Sequence, residues 1–161
     1  MEIQKYVEDI AKKAKNCTSV FARISSIQKN NLLEKMAQSL IAQSQKIMDA
    51  NGVDVENAVQ KGLNKTLIDR LTLDQKRING MAEGLHTLIQ LDDPIGKIDK
   101  MWRRPNGLEI GQQRVPLGVV GIIYEARPNV TVDAAGLCLK AGNAVILKGG
   151  SEALNSNRIL V

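Results

Sequence analysis

Residues 118–150, GVVGIIYEARPNVTVDAAGLCLKAGNAVILKGG, decide the fold class. Gly118 to Tyr124 and Ala144 to Leu147 are runs of Val and Ile without polar alternation, the pattern of parallel strands covered by helices on both faces. Between them, Thr131 to Ala141 has the length and apolar content of a crossover helix, and Ser151 onward opens another. The stretch predicts a βαβα unit, half of a doubly wound α/β sheet.

Upstream, the pattern changes. Apolar residues at Ile3, Val7, Ile10, Ala11 and Ala14 predict an amphipathic helix. A second helix is expected from Ser26 to Ala50, stopped by Asn51-Gly52, and a shorter one from Asp54 to Lys61. Thr72 and Gln75 have capping-box spacing at the start of a helix running through Ile89. Pro105-Asn106-Gly107 separates Met101 to Arg104 from Leu108 to Val115, which predicts a β-hairpin. The chain therefore divides into a helical segment (1–100), a hairpin (101–115) and the start of a Rossmann-like sheet (116–161).

Composition limits the function classes. The 161 residues are 43% hydrophobic and 24% charged, as in an ordinary globular protein, with a formal charge of +5. The lysines alternate with acids from Lys12 to Glu56, and only 2% of residues are aromatic. Base stacking is therefore poorly served, and no nucleic-acid partner is expected. No stretch approaches the roughly 20 apolar residues that cross a bilayer, and the first residues lack the pattern of a secretory signal, so a cytoplasmic location is the expectation. Cys17 and Cys138 are far apart, and His86 is the one histidine, which suggests neither a disulfide framework nor a zinc site. His86 has no nucleophile or ligand near it in sequence and is left out of the site.

Two strand-to-helix junctions can carry chemistry, because open α/β sheets bind ligands at the carboxyl ends of their strands. At the second, Lys148-Gly149-Gly150-Ser151-Glu152 offers a cation, a backbone that a ligand can approach, and Ser151 as a cap; amides at the following helix start would favour phosphate or ribose. A plain tight turn is the competing reading, since neither GxGxxG nor a P-loop is present. At the first, Tyr124 to Thr131 gathers Glu125, Arg127 and Asn129. Arg127 can grip a carboxylate or phosphate; alternatively it pairs with Glu125 while Asn129 or Thr131 caps the helix.

Val115 to Ala135 and Leu139 to Gly150 closely resemble the γ-glutamyl phosphate reductase family. The wider aldehyde dehydrogenase pattern is also present, with Pro-x-Gly-Val opening the first strand and Ala-Gly-Asn-x-Val-x-x-Lys framing the second. The resemblance implies an aldehyde-dehydrogenase-like fold and an NADPH-dependent reduction of L-glutamyl 5-phosphate to L-glutamate 5-semialdehyde in proline biosynthesis. By the same resemblance Lys148 reaches the adenosine ribose or its 2′-phosphate, with Gly149, Ser151 and Glu152 close by. The backbone of Ile123, Tyr124, Glu125 and Ala126 lines the cofactor, and Arg127 and Asn129 face the substrate. It further implies functional coupling to glutamate 5-kinase, a homo-oligomer when complete, and a catalytic cysteine in a later domain absent here. Neither Cys17 nor Cys138 matches that cysteine, so this chain alone is expected to be inactive. A non-catalytic nucleotide-binding or oligomerisation module is the alternative.

Overall fold

The computed structural model describes residues 2–161. Helix α1 spans Glu2–Phe21, and its half-buried positions Ile10, Ala14, Thr18 and Phe21 lie on one face, while Ile3 and Val7 are exposed. Helix α2 (Ser26–Ala42) opens on a capping box in which the Ser25 hydroxyl accepts from the Gln28 amide and the Gln28 side chain accepts from the Ser25 amide.

The chain breaks at Gln43 rather than at Asn51-Gly52, and α3 runs unbroken over Ser44–Gln60. This corrects the expected stop. Asn51 is buried, and its side chain donates to the Leu71 carbonyl and the Ser156 hydroxyl and accepts from the Leu73 amide. These bonds come from distant parts of the chain and outweigh the local preference of Asn for a helix end.

Helix α4 (Lys65–Leu71), capped by Asn64, had no counterpart in the sequence reading. Helix α5 covers Gln75–Gln90 and is capped by Asp74, whose carboxylate accepts from the Arg77 amide at 2.7 Å; Thr72 instead ends α4. The hairpin pairs β1 (Ile98–Arg103) with β2 (Glu109–Gln113), and Gly107 turns it at φ +88°. Apart from a half-buried Ile110, its residues are exposed, including Met101 and Trp102.

Strand β3 (Val119–Ile123), helix α6 (Asn129–Lys140) and strand β4 (Ala144–Lys148) form the βαβ unit, with the strands paired in parallel and Ile123 beside Lys148. A 3₁₀ turn at Ser151–Ala153 leads into α7 (Leu154–Leu160). The strands are not covered on both faces: Ile123 is 81% exposed and Val119 37%. The Ala-Gly-Asn stretch is structural. Gly142, at φ +67°, closes α6 by bonding its amide to the Leu139 carbonyl, and the Asn143 amide bonds that of Cys138. The Asn143 side chain then accepts from the Gly118 amide, aligning the two strand starts.

The core lies where α2, α5 and α6 meet, with Leu33, Leu40, Ile78, Leu85 and Val132 buried together. Gly136 sets the approach of α6: a Cβ there would stand 2.7 Å from Leu85 Cδ2 and 3.0 Å from Leu88 Cδ1. Gly136→Ala is therefore expected to cost about 1–3 kcal/mol in urea unfolding, because overpacking exceeds the ~1 kcal/mol gained in helix propensity. Gly52, in α3 with nothing near its missing side chain, is the control; Gly52→Ala should gain about 0.5–1 kcal/mol.

Candidate functional site

The carboxyl edge of the sheet brings both predicted junctions together. The Tyr124 amide donates to the Lys148 carbonyl at 3.1 Å, extending the β3–β4 ladder by one bond, so Tyr124 and Gly149 emerge side by side. The Tyr124 hydroxyl lies 2.6 Å from Thr131 Oγ1, which donates to Asn157 Oδ1 at 2.9 Å. With the Thr131 proton committed to Asn157, Tyr124 is the donor in the first bond. A Cβ on Gly149 would fall 2.1 Å from Asn157 Nδ2 and 3.2 Å from Tyr124 Cε2. The glycine is thus demanded by protein packing, which favours the tight-turn reading of that residue.

The expected Ser151 cap is not formed. Ser151 is exposed and caps nothing, and the Asn155 and Ser156 amides of α7 are already taken. Asp54, buried on α3, accepts from the Asn155 amide at 3.2 Å, the Asn155 side chain at 2.7 Å, and the Ser156 amide and hydroxyl at 2.7 Å each. An internal carboxylate thus anchors the start of α7.

A cleft does remain beside this edge, about 350 Å³, lined by Lys61, Leu63, Leu67, Glu125, Ala126, Ser151 and Glu152. Lys148 is exposed at the strand end, with no side-chain partner among the described residues. An exposed ammonium, a free Ser151 hydroxyl and carboxylates suited to ribose hydroxyls make a donor set that fits a nucleotide. Ala126 is buried and Ile123 is exposed beyond the edge.

Arg127 and Asn129 point elsewhere. Arg127 forms no ion pair with Glu125; its amide donates to the Glu125 carbonyl at 2.7 Å, and its side chain is exposed. Pro128, not a side-chain cap, precedes α6. Asn129 donates to Asp133 Oδ2 at 3.1 Å. Both residues line a second cleft, of about 360 Å³, together with Arg70, Arg77, Asp69 and Asp133. Burial pushes the Asp133 carboxyl above the usual range, opposed by the Asn129 bond. Asp133, Arg70 and Asn157 escaped the sequence reading, and Thr131 entered it only as a cap, because the cleft and the Tyr124–Thr131–Asn157 chain form only when distant elements meet.

Both cysteines are free. Cys17 is exposed; Cys138 is buried in α6, and burial raises its thiol pKa, so it is held as an unreactive thiol. His86 lies 3.3 Å from Glu34 on the surface. Among the described residues, no helix is long and apolar enough to cross a membrane, and no group of metal-ligating side chains occurs.

The first helices, the protruding hairpin and the parallel βαβ edge are those of the aldehyde dehydrogenase fold. A probable aldehyde dehydrogenase from Listeria monocytogenes superposes over 98% of the chain with a TM-score of 0.66 at 14% identity, a likeness of fold. The crystal structures of γ-glutamyl phosphate reductase from Thermotoga maritima and Saccharomyces cerevisiae give TM-scores of 0.91 and 0.90 at 44% and 34% identity, covering 93% and 94% of this chain. They are themselves covered over 36% and 39% of their length.

In sequence, the chain is 58% identical over 160 residues to γ-glutamyl phosphate reductase of Halothermothrix orenii and 63% identical over 150 residues to that of Heliobacterium modesticaldum. These matches take in 99% and 93% of this chain. No family model matches the chain. The chain belongs to the γ-glutamyl phosphate reductase family, and it spans 38% and 36% of the length of these two relatives.

Proposed function

We propose that these residues supply the nucleotide edge of a reductase that converts L-glutamyl 5-phosphate, NADPH and a proton to L-glutamate 5-semialdehyde, NADP⁺ and phosphate in proline biosynthesis. The observation that carries this reading is the identity to γ-glutamyl phosphate reductases along nearly the whole chain, 58% over 160 residues in one case. The nicotinamide cofactor supplies the hydride. Lys148 binds the adenosine ribose and its 2′-phosphate, Ser151 and Glu152 bond ribose hydroxyls, and the backbone from Ile123 to Ala126, with Gly149, forms the floor beneath. Arg127 and Asn129 orient the substrate. The nucleophilic thiolate belongs to residues outside this chain, and the working protein is a cytoplasmic homo-oligomer that receives its labile acyl phosphate from glutamate 5-kinase.

Phosphate-dependent reduction of NADP⁺ by L-glutamate 5-semialdehyde, followed by the absorbance of NADPH in the full-length gene product, tests the reaction; no turnover would refute it. The 161-residue chain is expected to show no turnover by itself. In the full-length product, Lys148→Ala is expected to weaken NADPH about 10-fold or more by titration calorimetry, the loss for one charge-assisted hydrogen bond, and to weaken NADH less. Equal losses would remove Lys148 from the 2′-phosphate. Binding of NADPH without turnover would favour a nucleotide-binding module instead.

A further inference from the structure

The second cleft, between the end of α4, the start of α5 and the start of α6, has an internal charge pattern of which the reductase reading uses only Arg127 and Asn129. Its volume of about 360 Å³ lies within the roughly 300–1,000 Å³ of small-ligand sites. Arg77 is already committed: Nη2 donates to Asp69 Oδ1 at 2.8 Å, and Nη1 to the carbonyls of Asp69 and Thr72. Arg70 and Arg127, by contrast, have no side-chain acceptor among the described residues. Asp133 lines the same cleft, half-buried, holding one neutral amide donor from Asn129 and no cation. Asp133 Oδ1 approaches α5 at Gly84, 3.9 Å from where a Cβ would be, so no side chain of that helix position stands against the carboxylate. Burial without a compensating cation makes that carboxylate gain from an ammonium ligand.

We propose that this cleft selects the α-amino acid end of the substrate, with Asp133 receiving the α-ammonium and Arg70 and Arg127 receiving the α-carboxylate. The assignment rests on the reductase reading above. L-Glutamyl 5-phosphate carries opposite charges side by side only at its α-carbon. Its phosphate end is purely anionic and would be repelled by Asp133, whereas the zwitterionic end meets an opposite charge at each group. Asp133 and Arg70 are thus specificity-determining residues, and Asn129 positions the carboxylate by holding Oδ2.

The test compares three aldehydes with NADP⁺ and phosphate in the full-length gene product: L-glutamate 5-semialdehyde, 5-oxopentanoate (no amino group) and 4-aminobutanal (no carboxylate). Asp133→Asn is expected to lower kcat/KM for the semialdehyde about 10–100-fold while leaving 5-oxopentanoate nearly unchanged, so that the preference for the amino group collapses. Arg70→Gln, on the exposed face of α4, keeps the test open should the Asp133 variant misfold; it should lower the semialdehyde and 5-oxopentanoate but spare 4-aminobutanal. Proportional losses on all three aldehydes, or no loss, overturn the assignment. Failure of the wild-type protein to turn over any of them overturns the reductase reading itself, and this assignment with it.

Discussion

Asp93→Ala is expected to lower stability by about 3–5 kcal/mol, the range for stripping one partner from a buried ion pair. Lys29 is 2% exposed, and its ammonium meets Asp93 at 2.8 Å. The alternative of reaching water is poor, because the ammonium lies against the Gly142 turn, 3.6 Å from where a Cβ would be. Asp93 is also the anchor that ends the helical segment: its other bonds come from the Ser26 hydroxyl at 2.8 Å and the Ile95 amide at 3.0 Å. One carboxylate thus ties the start of α2 to the approach of β1.

Burial works against ionisation of Asp93, but the Lys29 hydrogen bond, the Ile95 amide, the Ser26 hydroxyl and the Lys29 charge together hold its pKa below the usual 3.8. A lowered folded pKa means that the stabilisation is present above the unfolded value and is lost as pH falls through the folded one. Urea midpoints of the wild-type chain should therefore decline below about pH 4 from this group, and the gap to Asp93→Ala should narrow over the same window. A gap that stays constant into acid would show that Asp93 acts through packing rather than charge.

Asp54→Ala is expected to cost about 3 kcal/mol, since it orphans two α7 amides and the fully buried Ser156 hydroxyl, each unsatisfied donor costing about 1–3 kcal/mol when water cannot reach it. The loss should be local. Amide exchange at Asn155 and Ser156 is expected to accelerate together while the α2–α5 core keeps its protection. Asp54→Asn, which retains one acceptor oxygen, should lose less. If the exchange rates of α7 did not change, Asp54 would not be its anchor.

The strand runs Val119–Ile123 and Ala144–Lys148 and the helix between them were legible because a parallel βαβ unit is specified by short-range patterns: apolar runs of strand length, a crossover of helix length and a glycine turn at Gly142. The hairpin was legible in its turn, with strands displaced by a few residues. Two expectations from local preference fail where a distant group intervenes. Asn51 looked like a helix stop until Leu71, Leu73 and Ser156 bonded its side chain inside α3. Ser151 looked like a cap until Asp54, about a hundred residues earlier, supplied one.

The candidate site divides the same way. Lys148, Gly149 and Arg127 could be singled out because strand-to-helix junctions are marked by glycine, proline and charge in the sequence itself. The opposition of Asp133 to Arg70 and Arg127 was invisible there, since Arg70 belongs to a helix the periodicity did not reveal and its cleft exists only when α4, α5 and α6 converge. By itself the sequence determined the fold class, the family likeness and the positions of both junctions, because backbone periodicity and turn chemistry act over a few residues. Tertiary structure alone decided which amides were already occupied, which charges were buried and which were left exposed in a cleft, because electrostatics and desolvation act across space between residues that the chain keeps far apart.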